Sequence, residues 1–258
     1  MYRVVLRSFS IIFILSTLLC IAPSVIAQNA QVAIIIDDIG YRKSDVAVLT
    51  LPGAITFAIL PHTPYGKTLA QQAYKKDNEI ILHIPMEAEN GKKLGPGGLT
   101  VEMGEKSIRQ ELALAFAEIP FAIGINNHMG SKLTKLHSPM MWTMQFLKER
   151  NLIFIDSVTT SKTQAEQIAN QIGVPTTRRQ IFLDNELTSA YINQQFMQLI
   201  EHAQKHKSVV AIAHPHPETI KALNRLIPLL AELNIDLVPI SALISPQKNQ
   251  DKLVLVKK

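Results

Sequence analysis

Eight short apolar runs recur along the chain, most of them followed by a stretch with helical spacing, and few folds satisfy that rhythm. The runs are Val32–Ile36, Ile55–Leu60, Glu79–Ile84, Phe121–Ile125, Leu152–Ile155, Ile181–Leu183, Val209–Ala213 and Ile235–Ile240. They are rich in Ile, Val and Leu and mostly lack in–out alternation, the pattern of strands covered on both faces. Between them, Ser107–Glu118 sets Ile108, Leu112, Ala115 and Phe116 on one helical stripe. Pro139–Arg150 begins with a proline behind Ser138, a sound helix start. Thr188–Lys205 and Glu218–Leu233 are longer helical segments. Repeated strand–helix alternation implies a parallel sheet, either a (β/α) barrel or a doubly wound open sheet. No Pro/Ser linker or charge block divides it, so residues 30–244 read as one domain.

The two ends read differently. Arg3 and Arg7 precede an apolar run from Phe9 to Ala22, and Val25-Ile26-Ala27 closes with small residues. This is the pattern of a secretory signal peptide over residues 1–27, cleaved after Ala27, so the expected location is periplasmic or secreted. The apolar run is short for a bilayer span and Pro23 follows it, so no stable membrane insertion is expected after cleavage. Cys20 is the single cysteine of the 258 residues, which leaves the processed chain without a thiol and dependent on core packing. Residues 245–258 read as a flexible polar tail.

The net charge of +5 resides in these ends: residues 1–27 carry +2, residues 245–258 carry +3, and the body between them is neutral. A nucleic-acid partner is therefore not expected, since such binding needs a concentrated basic face. Glu87–Gly104, with glycines at 91, 95, 97, 98 and 104, reads as a mobile surface loop beside a cleft.

In parallel α/β folds, ligands bind at the carboxyl ends of the strands, so the residues after each apolar run are the informative ones. They are Asp37-Asp38, then His83 near the close of the third run with Glu87 beyond it, then Asn126-Asn127-His128 with Ser131, then Asp156, Asp184, and His214 with His216. Each has a structural alternative, because Asp is a favoured helix cap and a lone His is often simply hydrogen-bonded. Asp156 and Asp184 in particular suit caps. Jointly, two adjacent carboxylates and several imidazoles on one rim suit a divalent metal, and this N/O donor set suits zinc. The expected ligands are Asp38, His83 and His128, with Glu87 as a fourth ligand or a supporting partner. Asp37 is the candidate base and His214 the candidate acid for metal-assisted hydrolysis of an amide or ester. Asn127, Ser131, Asp156, Asp184 and His216 are candidates for supporting or substrate contacts. His62 is a weaker candidate for the rim, and His137, His202 and His206 read as solvated. A covalent route is unsupported, as there is no G-x-S-x-G elbow.

The ordered set AIIIDDIG, ILHIPME, INNHMGS, FIDS and IAHPHPET resembles the divergent polysaccharide deacetylases, relatives of the NodB-type carbohydrate esterases. The resemblance spans nearly the whole chain after residue 27. It implies a distorted (β/α)7-type barrel and removal of acetyl groups from an envelope or extracellular glycan. It also implies Asp37 as base, Asp38 and His83 as metal ligands, and His214 as the late-strand catalytic histidine. Two departures stand out: Glu87 occupies the place of a second histidine, and NNHMGS replaces an Arg-x-Pro segment. His128 as the replacement imidazole is an inference from this sequence. The alternatives are a non-catalytic glycan- or envelope-binding protein on the same scaffold, and a glycoside hydrolase using a carboxylate pair such as Asp37 with Glu87.

Overall fold

The computed structural model describes residues 29–244; the expected signal peptide and tail lie outside the described residues. The strands are β1 (Ala30–Ile39), β2 (Thr56–Ile59), β3 (Glu79–Met86), β4 (Gly124–Met129), β5 (Ile153–Asp156), β6 (Thr176–Arg178), β7 (Ile181–Phe182), β8 (Ser208–Ala213) and β9 (Ile235–Leu237). Among them run helices α1 (Gly66–Tyr74), α2 (Glu105–Glu118), α3 (His137–Glu149), α4 (Ala165–Ile172), α5 (Ser189–His206), α6 (Pro217–Leu226), α7 (Pro228–Glu232) and α8 (Ile240–Leu243). Among the described residues no helix is long and apolar enough to cross a membrane.

All pairings are parallel, in the order β6-β5-β4-β3-β2-β1-β8-β7, with β9 added to the start of β1. The two ends of this path, β6 and β7, are joined by Arg179 and Gln180 alone. Two residues of extended chain reach about 7 Å, so the sheet has to curl until its ends meet. The Arg179 N–H donates to Asp156 on the β5 side, and the Gln180 N–H donates to Val210 on the β8 side, both at 2.9 Å. Thr176–Phe182 is therefore one segment shared between two neighbours, and it completes a distorted seven-stranded (β/α) barrel, a single domain.

Strand periodicity sorts the side chains. Ala33, Ile35, Ala58, Ile81, Ile155, Val210 and Ile212 form the inner cluster, which Ile240 of α8 and Ile244 join. The alternate residues, among them Ile34, Ile36, Ile80, Leu82 and Phe154, pack outward with helix residues such as Leu112, Met144 and Phe196. Continuing the inner series by steps of two reaches Asp37 after Ala33 and Ile35, His83 after Ile81, and His214 after Val210 and Ile212.

Several boundaries differ from expectation. The helical segment 218–233 is split, because Pro228 has no N–H with which to continue α6. The run 235–240 is strand only to Leu237, and after Pro239 it turns into α8. Phe121, expected in a strand, instead lies with its ring centroid 4.6 Å from that of Tyr74. The glycine-rich segment is less free than expected. Leu99 is fully buried and bridges to Met86, with its N–H donating to the Pro85 carbonyl at 2.8 Å.

Candidate functional site

At the carboxyl end of the barrel three side chains from three strands converge. Asp38 Oδ1 lies 2.7 Å from His128 Nδ1 and 3.0 Å from His83 Nε2, and the two imidazole nitrogens are 3.1 Å apart. Alternation along β1 would turn Asp38 away from its neighbour. A left-handed backbone at Asp38 (φ 58°), with a register shift between Ile36 and Ile39, brings it back to the same centre. A non-glycine residue held there stores strain of order 1–3 kcal/mol, which is characteristic of functional sites.

Asp37 is buried beside this group, its Oδ2 3.6 Å from His83 Nε2. Between them stands Asn126, a residue missed in the sequence reading although its signal, the Asn126-Asn127 pair at a strand end, was visible. It is fully buried and bonds Asp37 Oδ1 at 2.7 Å and His83 Nδ1 at 2.6 Å. A carboxylate can only accept, so the amide N–H of Asn126 faces Asp37 and its carbonyl faces His83. His83 Nδ1 must then donate, so in the neutral ring it is Nε2 that offers a lone pair toward Asp38 and His128.

The electrostatics follow from this packing. Burial pushes Asp37 above its ordinary value, against the opposing pull of His83 and His214. Burial acts the same way on Asp38, but His128 and His83 outweigh it and hold that carboxyl well below the usual range. His83 is raised: burial opposes its charge, and Asp37 and Asp38 overcome that opposition.

These donors fit a divalent cation. One ligand atom from each of Asp38, His83 and His128 lies within 4.8 Å of the others. Asp38 Oδ1 is buried and makes no geometrically sound hydrogen bond despite its close neighbours. Oxygen and nitrogen donors crowded on one point in this way are what a shared cation resolves.

Across the cleft stands His214, its Nδ1 2.9 Å from Asp184 Oδ1. Burial would lower its pKa, but Asp184 outweighs burial and lifts it to about 9. Asp184, read from sequence as a cap or supporting residue, is the orienting partner of His214. The cleft, about 150 Å³, is lined by Asp38, Leu60, His128 and His214, with Tyr41, Arg42, His216 and others nearer its mouth.

Other expected site residues have structural partners. Glu87 is not in the donor cluster: its carboxylate pairs with Lys132 and accepts the Val101 N–H at 2.8 Å. That also leaves a carboxylate pair of Asp37 with Glu87 without support. Asn127 faces the other side of β4 and accepts the Ser157 N–H at 2.9 Å, while Ser131 Oγ accepts the Glu89 N–H at 3.0 Å. Asp156 ties down the Val158 N–H and the Thr163 hydroxyl, each at 2.8 Å, fixing a loop rather than capping a helix. His62 is held by Glu118 at 2.7 Å. His202, expected to be solvated, is partly buried against His206, with ring centroids 4.5 Å apart. Arg179 was not singled out from sequence; it donates to the Ser157 and Val158 carbonyls at 2.8 Å and lies over Phe182.

A family profile described as divergent polysaccharide deacetylase matches residues 34–244. The chain belongs to the divergent polysaccharide deacetylase family. This deacetylase-family chain is 38% identical over 231 residues to the uncharacterized protein YibQ of Escherichia coli K12, covering 89% of this chain and 72% of YibQ. Its fold is similar to that of uncharacterized protein ATU2773 from Agrobacterium tumefaciens C58. That match has a TM-score of 0.81 at 25% identity, over 84% of this chain and 90% of that one. More distant fold neighbours include a family 4 carbohydrate esterase from Streptomyces lividans in complex with acetate (TM-score 0.51, 14% identity, 86% and 96% covered). A family 4 pseudoenzyme from Bacillus anthracis shares the fold too (TM-score 0.54, 14% identity, 84% and 66% covered). These distant neighbours share the fold alone with this chain, one being a carbohydrate esterase and the other a pseudoenzyme, so the residues in the cleft have to decide.

Proposed function

We propose that this chain is an exported, metal-dependent hydrolase that removes acetyl groups from a glycan, with Asp38, His83 and His128 holding the metal, most suitably zinc. The observation that carries the reading is that these donors converge beside a buried Asp37 and opposite a His214 oriented by Asp184. The cation, when bound, supplies Lewis acidity that polarises the acetyl carbonyl and makes water more acidic. The chain's own residues do the rest. Asp37 takes the proton of the attacking water; burial raises its basicity toward the operating pH while Asn126 keeps Oδ1 fixed. His214 carries its proton at neutral pH and gives it from Nε2 to the departing sugar oxygen or nitrogen, while Asp184 holds Nδ1. The reading also accounts for the strained Asp38, since its conformation places one carboxylate on the donor centre and leaves its neighbour as the base.

The test is acetate release from acetylated chitooligosaccharides, peptidoglycan and O-acetylated glycans, with and without chelator. Release from at least one class, abolished by chelator and restored by zinc or another divalent metal, is the expected result. Purified protein that retains near-stoichiometric metal but releases no acetate from any class would overturn the reading in favour of a binding protein.

A further inference from the structure

The cleft floor is set by Asp38, His128 and His214, but the mouth carries different chemistry. Tyr41 and Arg42 follow directly on the Asp37–Gly40 segment, line the cleft and are exposed, Tyr41 by 47%. Asp45 fixes this wall by accepting the Gly40 and Arg42 N–H groups on Oδ2, each at 3.0 Å. None of the ion pairs among the described residues includes Arg42. Asp45 is three residues away, yet its Oδ1 is buried without a hydrogen-bond partner, so the guanidinium does not fold back on it.

The glycine-rich segment meets the same wall. Gly95 has φ +87°, and a Cβ built there would sit 2.4 Å from Tyr41 Oη, so the chain passes directly against that ring. Of the acids of this segment, Glu87 pairs with Lys132 and Glu89 with Lys135, while Glu102 adds to the field at Lys132. Lys92 and Lys93, a few residues before Gly95, are exposed and absent from the same ion pairs, as is Lys43 beside Arg42. On a body with no net charge, Arg42 stands at this rim as a cation outside every ion pair of the described residues. Of the cleft's own carboxylates, Asp38 faces His83 and His128, and Asp45 spends Oδ2 on backbone N–H groups rather than on the guanidinium.

We infer that Arg42, beside Tyr41, is a specificity-determining residue that selects a carboxylate-bearing glycan, the sugar acid docking on the guanidinium while a sugar face lies against the tyrosine ring. The inference rests on the proposed deacetylation and names its substrate class. A planar guanidinium outside every ion pair of the described residues matches a carboxylate through two parallel hydrogen bonds, which are stronger than neutral ones. At about 150 Å³ the cleft is below the roughly 300–1,000 Å³ that encloses a drug-sized ligand. It therefore takes the acetyl-bearing part of one sugar and leaves the neighbouring acid on the rim.

The test uses chelator-treated protein and calorimetry at low salt with three oligosaccharides of equal length. These are an oligogalacturonate, a peptidoglycan glycan strand bearing lactyl carboxylates, and a neutral chitooligosaccharide. At least one acidic ligand should bind about 10-fold more tightly than the neutral one, with a preference that weakens as salt is raised. Which acid binds better identifies the source of the carboxylate. The preference should shrink below about 3-fold in Arg42→Gln and return in part in Arg42→Lys, which keeps the charge but not the fork. Equal affinity for acidic and neutral ligands, or an undiminished preference in a normally folded Arg42→Gln, overturns the inference. Chelator-sensitive turnover of a small neutral aryl acetate by the wild type tests the reaction separately. Turnover without an acidic preference removes this inference alone; an acidic preference without turnover removes the proposed reaction alone.

Discussion

Asp184 grips His214 at two points, accepting the backbone N–H on Oδ2 at 2.7 Å and meeting Nδ1 with Oδ1 at 2.9 Å. The Thr219 hydroxyl also donates to Oδ2 at 2.9 Å, which ties the same carboxylate to α6. Ring and backbone of His214 are thus fixed by one acid that is itself fixed, and the protonated imidazole persists to about pH 9.

If protonated His214 is the proton donor, turnover should fall as pH rises through about 9. Asp184→Asn removes the charge that outweighs burial, so the basic limb of the pH–rate profile should move to lower pH. His214→Ala should lower kcat by roughly 10²–10⁴-fold with metal content unchanged. His216, whose ring centroid is 6.1 Å from that of His214, should on replacement alter KM or nothing. A basic limb that stays in place in Asp184→Asn would remove His214 from the acid role.

The same pair carries a stability signature. The folded pKa of His214 is raised, so its contribution is fully present below the unfolded value near 6.5 and is lost as pH rises through about 9. Urea unfolding of chelator-treated wild type should lose up to about 3 kcal/mol between pH 6 and pH 9.5 from this group, less whatever solvent screens. His214→Gln should flatten that part of the profile; an equally steep decline in the variant would count against it.

Asp38→Ala, His83→Ala and His128→Ala should each empty or weaken the metal site, as read by metal analysis of the purified variants. Asp37→Asn keeps an oxygen for Asn126 and removes only the charge. It should retain the metal while losing roughly 10²–10⁴-fold in turnover. Loss of metal from Asp37→Asn would exchange the roles of the two aspartates.

Asn126→Ala strands the donor at His83 Nδ1 and the acceptor at Asp37 Oδ1, both buried. Metal affinity should drop about 10–100-fold, as for other partners that orient a metal-binding histidine, and stability by about 1–3 kcal/mol. Asn126→Asp, which keeps the acceptor for His83 but faces Asp37 with a second acid, should restore metal binding better than turnover. Equal metal affinity in wild type and Asn126→Ala would show that His83 needs no such support.

Much of the barrel could be read from apolar runs because its inner and outer faces are both dry, and the same regularity pointed to the strand ends where His83, His128 and His214 stand. The closing segment was half missed because Thr176–Arg178 is polar and partly exposed, carrying no apolar signal. Helix α1 was missed as well, its short sequence GKTLAQQAY burying Leu69, Ala70 and Ala73 in a largely polar setting. At the site, residue type revealed the charged and imidazole groups, while the neutral bridge Asn126 looked like its neighbour Asn127. Only strand alternation separates the two. Glu87 failed as a ligand for a reason no local pattern shows: Lys132, far along the chain, lies within its reach.

Shared closure has a consequence for the order in which the barrel can assemble. β1 pairs with β8 from Gln31↔Ser208 to Ile36↔Ala213, and the split segment Thr176–Phe182 needs β8 for its second half. All three clustered donors are present once residue 128 has been made, but the wall bearing His214 arrives with one of the last strands. Contacts of such long sequence separation form slowly, and a nascent chain lacking them keeps sheet edges and apolar surface open. Synthesis of the first two thirds therefore yields the ligands without the enclosure, and the cleft is complete only once β8 is paired between β1 and β7.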